Sequence, residues 1–311
     1  MKNKPKIISI SRRTDIPAYY SDWLIHRMKI GYTVYPNPVS GKPVFISLQP
    51  EHVKAIVFWT RNPIPLFKHL DFIDENYKHY MHITINGLPR LLEHNNPSVD
   101  SIIDAVKILS KRYGTEYVQW RFDPIILSTV TPEDFIIRRF EYIAAQLNSY
   151  VKNCYISFVN LYKKTEINFV KVEKRDRIRF KQPTIEQELN IIKIISSIAK
   201  GYGIKLHSCA KDHLSQIDNV QIAQCINVDL VNKITGIPLK SYSLQKSREG
   251  CHCINAPDIG YYDSCPHGCI YCYSNKSPGI AMTNAKKYRE FGFPMDGLDM
   301  PGRDDKQLKL F

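Results

Sequence analysis

The stretch His79-Tyr-Met-His-Ile-Thr-Ile85 and the segment from Ser98 to Gly114 that follows it decide the fold. The first part is apolar and rich in β-branched and aromatic residues, which predicts a strand. The second part carries apolar residues at helical spacing, with Ser98 placed to cap a helix and Gly114 placed to end it. Together they form one strand-then-helix unit.

The same unit recurs along the chain on both sides of that stretch. Further strands are predicted at 7–10, 55–59, 117–122, 154–159 and 205–208. Helices are predicted at about 17–30 and 64–77, after Thr131-Pro132, and after Thr184, which with Gln187 has the spacing of a capping box. Strands that alternate with helices indicate a parallel sheet covered by helices. We therefore expect an α/β fold, a complete or partial (β/α) barrel of TIM-like type.

The last third of the chain differs in composition from the rest. From about residue 219 it lacks clear helical period and is rich in Gly, Pro and Cys. We therefore predict a barrel-like domain at 1–218 and a cysteine-rich, metal-binding iron–sulfur region at 219–311 that is continuous with the barrel.

Composition narrows the class of protein. The 311 residues are 43% hydrophobic, which is enough for a sizeable core. No run approaches the ~20 apolar residues of a membrane span, and the first residues lack the features of a secretion signal. We therefore expect a cytoplasmic protein without a membrane partner. The net charge of +13 favours an anionic partner, either nucleic acid or a small anionic substrate.

Cysteines are clustered, with five of the eight between Cys251 and Cys272. In a reducing cytoplasm, spaced cysteines are more often metal ligands than disulfides. Three of them form the motif Cys265-Pro-His-Gly-Cys-Ile-Tyr-Cys272, in which Gly268 permits a sharp turn. Three thiolates at this spacing can each bind a different iron of one 4Fe–4S cluster and leave the fourth iron open. The alternative is a zinc site completed by His252, His267 or another thiolate.

The motif resembles that of the radical S-adenosylmethionine (SAM) superfamily, Cys-x3-Cys-x-aromatic-Cys, with Tyr271 at the aromatic position. The resemblance implies that Cys265, Cys269 and Cys272 hold a 4Fe–4S cluster whose open iron binds SAM. It also implies an electron donor such as a flavodoxin or ferredoxin. In that superfamily the motif usually follows the first barrel strand, whereas here it follows Asp258-Ile-Gly-Tyr-Tyr-Asp263. We therefore predict a barrel-like strand in that segment and a permuted order of units.

Nearly the whole chain resembles an uncharacterised bacterial family whose members end in a radical-SAM-like cysteine cluster. The resemblance rests on Ser11-Arg-Arg-Thr-Asp-Ile-Pro17, Phe58-Trp-Thr-Arg-Asn-Pro63, Arg121-Phe-Asp-Pro124 and the terminal cysteines. It implies the fold and the cluster but no substrate. Some of the same sequence segments also resemble, more weakly, spore photoproduct lyase, a radical SAM enzyme of DNA repair.

Four further cysteines, Cys209, Cys225, Cys251 and Cys253, are candidates for a second metal site. Four thiolates can close a second 4Fe–4S cluster with no open iron, or they can bind one structural zinc. Cys154 lies inside an apolar strand and is expected to be a buried small side chain.

Polar clusters follow three of the predicted strands, and the C-terminal ends of strands form the working face of a parallel barrel. Arginine there can hold a carboxylate bidentately, and aspartate can accept from ribose hydroxyls. The alternative is that Arg13–Asp15 and Arg121–Asp123 are local ion pairs that organise turns. We expect catalytic roles for Arg13, Asp15, Arg121 and Asp123, and cofactor-binding roles for Arg12, Arg61, Asn62, Gly268 and Tyr271.

The leading hypothesis is a radical SAM enzyme that cleaves SAM reductively to a 5′-deoxyadenosyl radical acting on an unknown substrate. Two alternatives remain open. One is a non-catalytic iron–sulfur or zinc protein that binds nucleic acid, and the other is a two-cluster electron-transfer protein.

Overall fold

The structure, a computed structural model, describes residues 5–239, 241–245 and 249–298. Its strands are β1 (Lys6–Ile10), β2 (Tyr32–Pro36), β3 (Pro43–Ser47), β4 (Val53–Thr60), β5 (His79–Thr84), β6 (Val118–Ile125), β7 (Leu127–Ser128), β8 (Asn153–Phe158), β9 (Phe180–Lys181), β10 (Lys205–Ser208) and β11 (Val220–Ile222). Its helices are α1 (Ile16–Tyr19), α2 (Ser21–Ile30), α3 (Leu70–Asn76), α4 (Val99–Tyr113), α5 (Glu133–Leu147), α6 (Lys163–Asp176), α7 (Ile185–Gly201), α8 (Val228–Thr235) and α9 (Pro278–Phe291).

Seven strands form one parallel sheet in the order β1-β4-β5-β6-β8-β10-β11. The order follows the chain, because each strand of the sheet lies beside the next one in sequence. The predicted mixed α/β fold with a parallel sheet and surrounding helices is confirmed. Two small antiparallel pairs, β2 with β3 and β7 with β9, lie outside this sheet.

The two faces of the sheet differ in polarity because side chains alternate along each strand. On β6, Trp120 and Phe122 are buried and pack against Phe140 of α5, with ring centroids 5.0 and 5.2 Å away. The intervening Arg121 and Asp123 project from the opposite face. That face therefore carries the polar side chains, while the helices cover the apolar one.

The predicted helices are confirmed where a capping residue precedes apolar residues at helical spacing. Ser98 accepts a hydrogen bond from the backbone N–H of Ser101 at the start of α4, and Thr184 and Gln187 form the predicted capping box of α7. Cys154 is fully buried in β8, as expected.

Other predictions of secondary structure were wrong. The single helix predicted at about 17–30 is divided into α1 and α2 at Tyr20, whose ψ of 27° departs from helical geometry. The helix predicted at 64–77 begins as a 3₁₀ helix, Ile64–His69, with Pro65 in its first turn. The region after 219 contains α8 and α9, although we predicted no clear helical period there. The buried face of α9 consists of Ala281 and Ala285, and such small side chains give a weak apolar pattern.

An extended segment before the cysteine motif lies beside the first strand. Ser9 of β1 donates its backbone N–H to the oxygen of Pro257 at 2.9 Å, and the N–H of Ile259 returns to the oxygen of Ser9 at 3.2 Å. On the other side, the N–H of Ile254 donates to the oxygen of Ile226 at 3.0 Å, shortly after β11. The segment predicted as a strand at 258–263 forms one parallel bridge, between Ser9 and Asp258.

Among the residues described, no helix is long and apolar enough to cross a membrane. The predicted boundary at residue 218 stays a prediction. β11 lies beyond that boundary and pairs with β10 in the main sheet.

Candidate functional site

The cysteine loop, residues 265–272, is held by side chains of other segments. They come from the segment after β5 and from α6, and they donate to carbonyl oxygens of the loop. The pairs are Asn95 with Pro266 at 2.8 Å, His94 with Gly268 at 3.1 Å, Asn168 with Ile270 at 3.0 Å and Thr165 with Tyr271 at 3.3 Å. The conformation of the loop is therefore set by its surroundings.

Asp15 connects this loop to the ends of two strands. Its Oδ2 accepts from His267 Nε2 at 2.7 Å and from the backbone N–H of Arg61 at 2.7 Å, while its Oδ1 accepts from Thr60 Oγ1 at 2.6 Å. The other ring nitrogen of His267 lies 3.1 Å from the hydroxyl of Tyr19. Both nitrogens of His267 thus have protein partners, which disfavours the zinc alternative that uses it as a ligand. In this arrangement Asp15 positions the loop, and its catalytic role stays a prediction.

Gly268 has the backbone conformation that the motif led us to expect. Its φ is +71°, and a Cβ at this position would lie 3.3 Å from the Cβ of His94. The predicted sharp turn is confirmed, because the left-handed region of φ is strained for residues with a Cβ.

The three thiols of the loop are half-buried. Burial raises the pKa of Cys269 to about 12 and raises the pKa values of Cys265 and Cys272 as well. The negative charge of Asp15 and the other two cysteines of the loop raise the pKa of Cys265 further. In the described part of the chain, no hydrogen bond joins these thiols, and no three His, Cys, Asp or Glu side chains converge as ligands of one metal ion.

Tyr271, the aromatic residue of the motif, ends in a buried ionic network. Its hydroxyl donates to Glu93 Oε1 and accepts from Arg61 Nη2 at 2.6 Å. Arg61 Nη1 also contacts Glu93 Oε1 at 2.7 Å. Burial raises the pKa of Tyr271 well above its usual value, so its hydroxyl is a neutral donor to the carboxylate. Arg61 and Tyr271, each predicted to bind the cofactor, therefore contact one another, and Tyr271 and Glu93 already occupy the guanidinium of Arg61.

Asn86 joins that network to Arg121 and Asp123. Its amide Nδ2 donates to Glu93 Oε1 at 3.4 Å and to the backbone oxygen of Asp123 at 3.2 Å, and its Oδ1 accepts from the N–H of Asp123 at 2.9 Å. Asp123 pairs with Arg121 and accepts from the hydroxyl of Ser157. The Arg121–Asp123 ion pair predicted as the alternative is therefore present, and it faces the same polar region as Arg61.

The four cysteines of the second set lie near one another. The Sγ atoms of Cys209 and Cys225 are 3.8 Å apart, and Cys253 influences the pKa values of both Cys225 and Cys251. The hydrogen bond from Cys253 lowers the pKa of Cys251 to about 6. Arg121 Nη1 donates to the Sγ of Cys225 at 3.2 Å. The structure thus brings together the four cysteines that the sequence suggested as a second site.

Each of Arg12, Arg13 and Asn62 has hydrogen-bond partners within the protein. The backbone N–H of Arg12 donates to Asp258 Oδ2 at 2.7 Å, and Arg13 Nη1 donates to the oxygen of Gly260 at 3.3 Å. The Arg13–Asp15 pair is absent from the contacts of the described residues. Asn62 Oδ1 accepts from a backbone N–H at 3.2 Å at the start of the 3₁₀ helix. Their expected roles at a cofactor or substrate stay predictions.

Asn275 leaves an unused acceptor beside the loop. Its amide Nδ2 donates to the oxygen of Cys265 at 2.7 Å, whereas its Oδ1 is buried and has no partner among the residues described. A buried oxygen without a donor is uncommon in proteins and is available to an amino or hydroxyl group of a ligand.

Sequence reasoning missed Glu93 and Asp258. Glu93 lies in a loop without a motif, and long-range contacts, an antiparallel bridge to Cys269 and the hydrogen bond from Tyr271, bring it to the cysteine loop. Asp258 accepts from the hydroxyls of Ser9 and Ser11 at 2.8 and 2.6 Å. Its position at the start of the quoted segment before the motif was the one available signal.

Comparisons with known proteins were made against families, curated proteins and solved structures. The sequence profile of the family described as "Domain of unknown function (DUF1848)" matches residues 7–274, which include most of β1 and all three cysteines of the loop. The comparison with curated proteins gives no match. A crystal structure of the IOLI protein with a bound zinc atom is 12% identical, covers 73% of this chain and 90% of that chain, and has a TM-score of 0.32. A score this low supports no inference about fold or metal content.

Proposed function

The chain belongs to the DUF1848 family, and we propose that it is a radical SAM-type enzyme. Cys265, Cys269 and Cys272 would hold a 4Fe–4S cluster with one open iron. The bound cluster would supply the electron that cleaves SAM reductively to a 5′-deoxyadenosyl radical, which acts on a substrate. The electron would come from a donor such as a flavodoxin or ferredoxin.

The observation that carries this proposal is the cysteine loop, whose conformation is held by hydrogen bonds from side chains of other segments. The ligands of one metal ion must converge on a point, whereas the ligands of a cubane cluster bind different irons and stay apart. Among the described residues no three potential ligands converge on one metal ion, and His267 of the loop already uses both ring nitrogens, with Asp15 and Tyr19 as partners. This arrangement favours a cluster over zinc.

The surroundings of the loop support the same proposal. The unpartnered Asn275 Oδ1 offers an acceptor to the amino group or a ribose hydroxyl of SAM. Asp15 would hold the loop through His267, and Glu93 would fix Tyr271. Buried carboxylates with several donors keep such a loop in one conformation, which a preorganised cofactor site requires.

The hydrogen bonds on both sides of the segment 254–259 support a permuted barrel. We propose that this segment completes a (β/α) barrel between β11 and β1, so that the cysteine loop follows a barrel strand. The loop would then have the same relation to its strand as in radical SAM enzymes, with the strand supplied from the other end of the chain.

Cys209, Cys225, Cys251 and Cys253 would bind a second 4Fe–4S cluster or one zinc ion. The thiolate character of Cys251 and the donor Arg121 suit bound thiolates of either kind. Near these cysteines, Trp59 Nε1 and His82 Nδ1 are buried and have no hydrogen-bond partner among the residues described.

The first experiment is the iron, sulfide and zinc content of anaerobically purified protein. We expect about eight irons in the wild type and about four in the Cys265→Ala/Cys269→Ala/Cys272→Ala variant, if the second set also holds a cluster. Cys154→Ala is the control, because Cys154 is buried in β8 outside both sets. Reduced wild type should convert SAM to 5′-deoxyadenosine, and the triple variant should not. Zinc without iron, or no cleavage of SAM, would contradict the proposal.

A further inference from the structure

A cavity of about 260 Å³ opens beside the cysteine loop at the C-terminal end of β5. Its walls come from the segment after β5, the start of α4 and one residue of α5. The volume is below the about 300–1,000 Å³ typical of drug-sized ligands, so only a small molecule fits. The charged residues of its lining are Arg61, Arg90, Glu93 and Arg139, and the lining also includes the amides of Asn86 and Asn96.

The cavity has an excess of positive charge. Its one lining carboxylate, Glu93, already pairs with Arg61. Arg90 donates to the backbone oxygens of His94 and Asn96 at 3.2 and 2.6 Å. Neither Arg90 nor Arg139 has an ion pair within the described ranges. Two guanidinium charges therefore remain uncompensated at one small cavity, which an anionic ligand would neutralise.

Arg139 reaches this cavity because residue 87 is a glycine. Gly87 has a φ of +61°, and a Cβ there would lie 2.5 Å from Cδ of Arg139. Any side chain at this position would therefore displace the arginine. The guanidinium carbon of Arg139 lies 5.5 Å from the ring centroid of Phe135.

Two further features of the cavity match an oxyanion that carries a hydroxyl group. The lining includes Ser98 and Val99 at the N-terminus of α4, where backbone N–H groups lack helical partners. The Oδ1 of Asn96 is buried and has no partner among the residues described, so it can accept from a hydroxyl or amino group.

We propose that this cavity binds the phosphate group of a small phosphorylated substrate, with Arg90 and Arg139 as its cationic ligands. The inference rests on the proposed function, because Arg61 and Glu93 connect the cavity to Tyr271 of the cysteine loop. A substrate held by its phosphate would have its remaining atoms directed towards the polar face of the sheet, beside the loop.

The test is isothermal titration of the purified wild-type protein with inorganic phosphate at constant ionic strength. We expect saturable binding that weakens roughly tenfold or more in Arg139→Gln and in Arg90→Gln, since each removes a charge-assisted contact. Arg139→Lys should keep most of the binding. Arg138→Gln is the matched control, because Arg138 is the exposed neighbour on the same helix and does not line the cavity. Thermal unfolding of each variant confirms that it folds.

Several outcomes would overturn the proposal. They are no saturable binding of phosphate, an equal loss in Arg138→Gln, or binding of acetate as tight as that of phosphate. Tight binding of a single-stranded oligonucleotide that phosphate does not displace would indicate a nucleic-acid partner instead. Cleavage of SAM is measured separately without substrate. A protein that cleaves SAM but does not bind phosphate refutes this inference alone, and the reverse result refutes the radical SAM function alone.

Discussion

The two sets of cysteines are built in opposite ways. In the loop at 265–272, three thiols come from eight consecutive residues and depend on other segments for their positions. In the second set, Cys209, Cys225, Cys251 and Cys253 come from three separate segments, and Cys209 and Cys225 are in contact. This difference shows that side chains of other segments position the first set, whereas the topology of the sheet largely positions the second.

The largest effect is expected when the scaffold of the loop is broken at Asp15. In Asp15→Ala the buried donors of His267, Thr60 and the N–H of Arg61 lose their acceptor. We expect the free energy of unfolding to fall by about 3–5 kcal/mol, measured by urea denaturation of the metal-free protein. Asp22→Ala removes an exposed carboxylate and should change it by no more than about 0.5 kcal/mol. A loss below about 1 kcal/mol in Asp15→Ala would falsify the role of Asp15 as an anchor.

The second prediction separates the two sets by the reactivity of their thiols in the metal-free protein. Cys251, with a pKa of about 6, is mostly thiolate at pH 7, whereas burial keeps Cys265 and Cys269 protonated. Iodoacetamide should therefore modify Cys251 roughly a hundredfold faster than either of them, with a midpoint near pH 6.

All three of these cysteines are half-buried, so accessibility does not explain such a difference. Peptide mass spectrometry over a range of pH gives the rate at each cysteine. Equal rates at pH 7 would contradict the assignment of the thiolate to the second set.

The third prediction concerns Asp258, which lies between the two sets in the chain. Burial alone would raise its pKa, but Arg12, Arg13 and the hydroxyl of Ser11 bring it below the ordinary 3.8. Because the folded pKa is the lower one, this stabilisation is present above pH 4 and is lost as the pH falls through the folded pKa. Asp258→Asn should lose about 2 kcal/mol of the free energy of unfolding at pH 7.

The difference in free energy of unfolding between wild type and Asp258→Asn should shrink towards pH 3. Urea denaturation midpoints between pH 7 and pH 3 measure it. Asp104→Asn, at an exposed position of α4, is the control and should follow the wild-type curve. A deficit that is independent of pH would assign the effect to packing and not to charge.

The smallest effect is expected at the turn of the cysteine loop. Gly268→Ala places a Cβ in the left-handed region and close to His94, which should cost about 1–2 kcal/mol of the free energy of unfolding. Gly279→Ala is the matched control, since no atom lies within 4 Å of its Cβ position and it begins α9. It should be neutral or slightly stabilising. Equal effects of the two substitutions would show that the loop is not constrained at Gly268.

The sequence predicted the parallel sheet because each strand-then-helix unit carries its own local signals. Ser98, Thr184 and Gly114 mark helix ends through contacts within a few residues. The sequence did not predict the β2–β3 hairpin or α6. The strands of the hairpin lack a strong alternation of apolar and polar residues, and charged residues dominate α6.

The candidate site was predictable to the extent that it is local in sequence. The spacing of the loop cysteines and the turn at Gly268 are short-range features, and the turn is confirmed. The pairing of Glu93 with Arg61 and of Asp15 with His267 joins residues far apart in sequence, so it follows from the order of strands in the sheet. No local pattern encodes such contacts.

The side chain of Asn86 links the two sets of cysteines. From Tyr271 a continuous hydrogen-bonded path runs through Glu93, Asn86, Asp123 and Arg121 to the sulfur of Cys225. A change of charge at either end alters the field at the other, and such coupling is reciprocal. The midpoint potential of a group bound at one set would therefore depend on the oxidation state at the other. Reduction of one site would add negative charge and oppose reduction of the other, so the two sites would titrate with negative cooperativity.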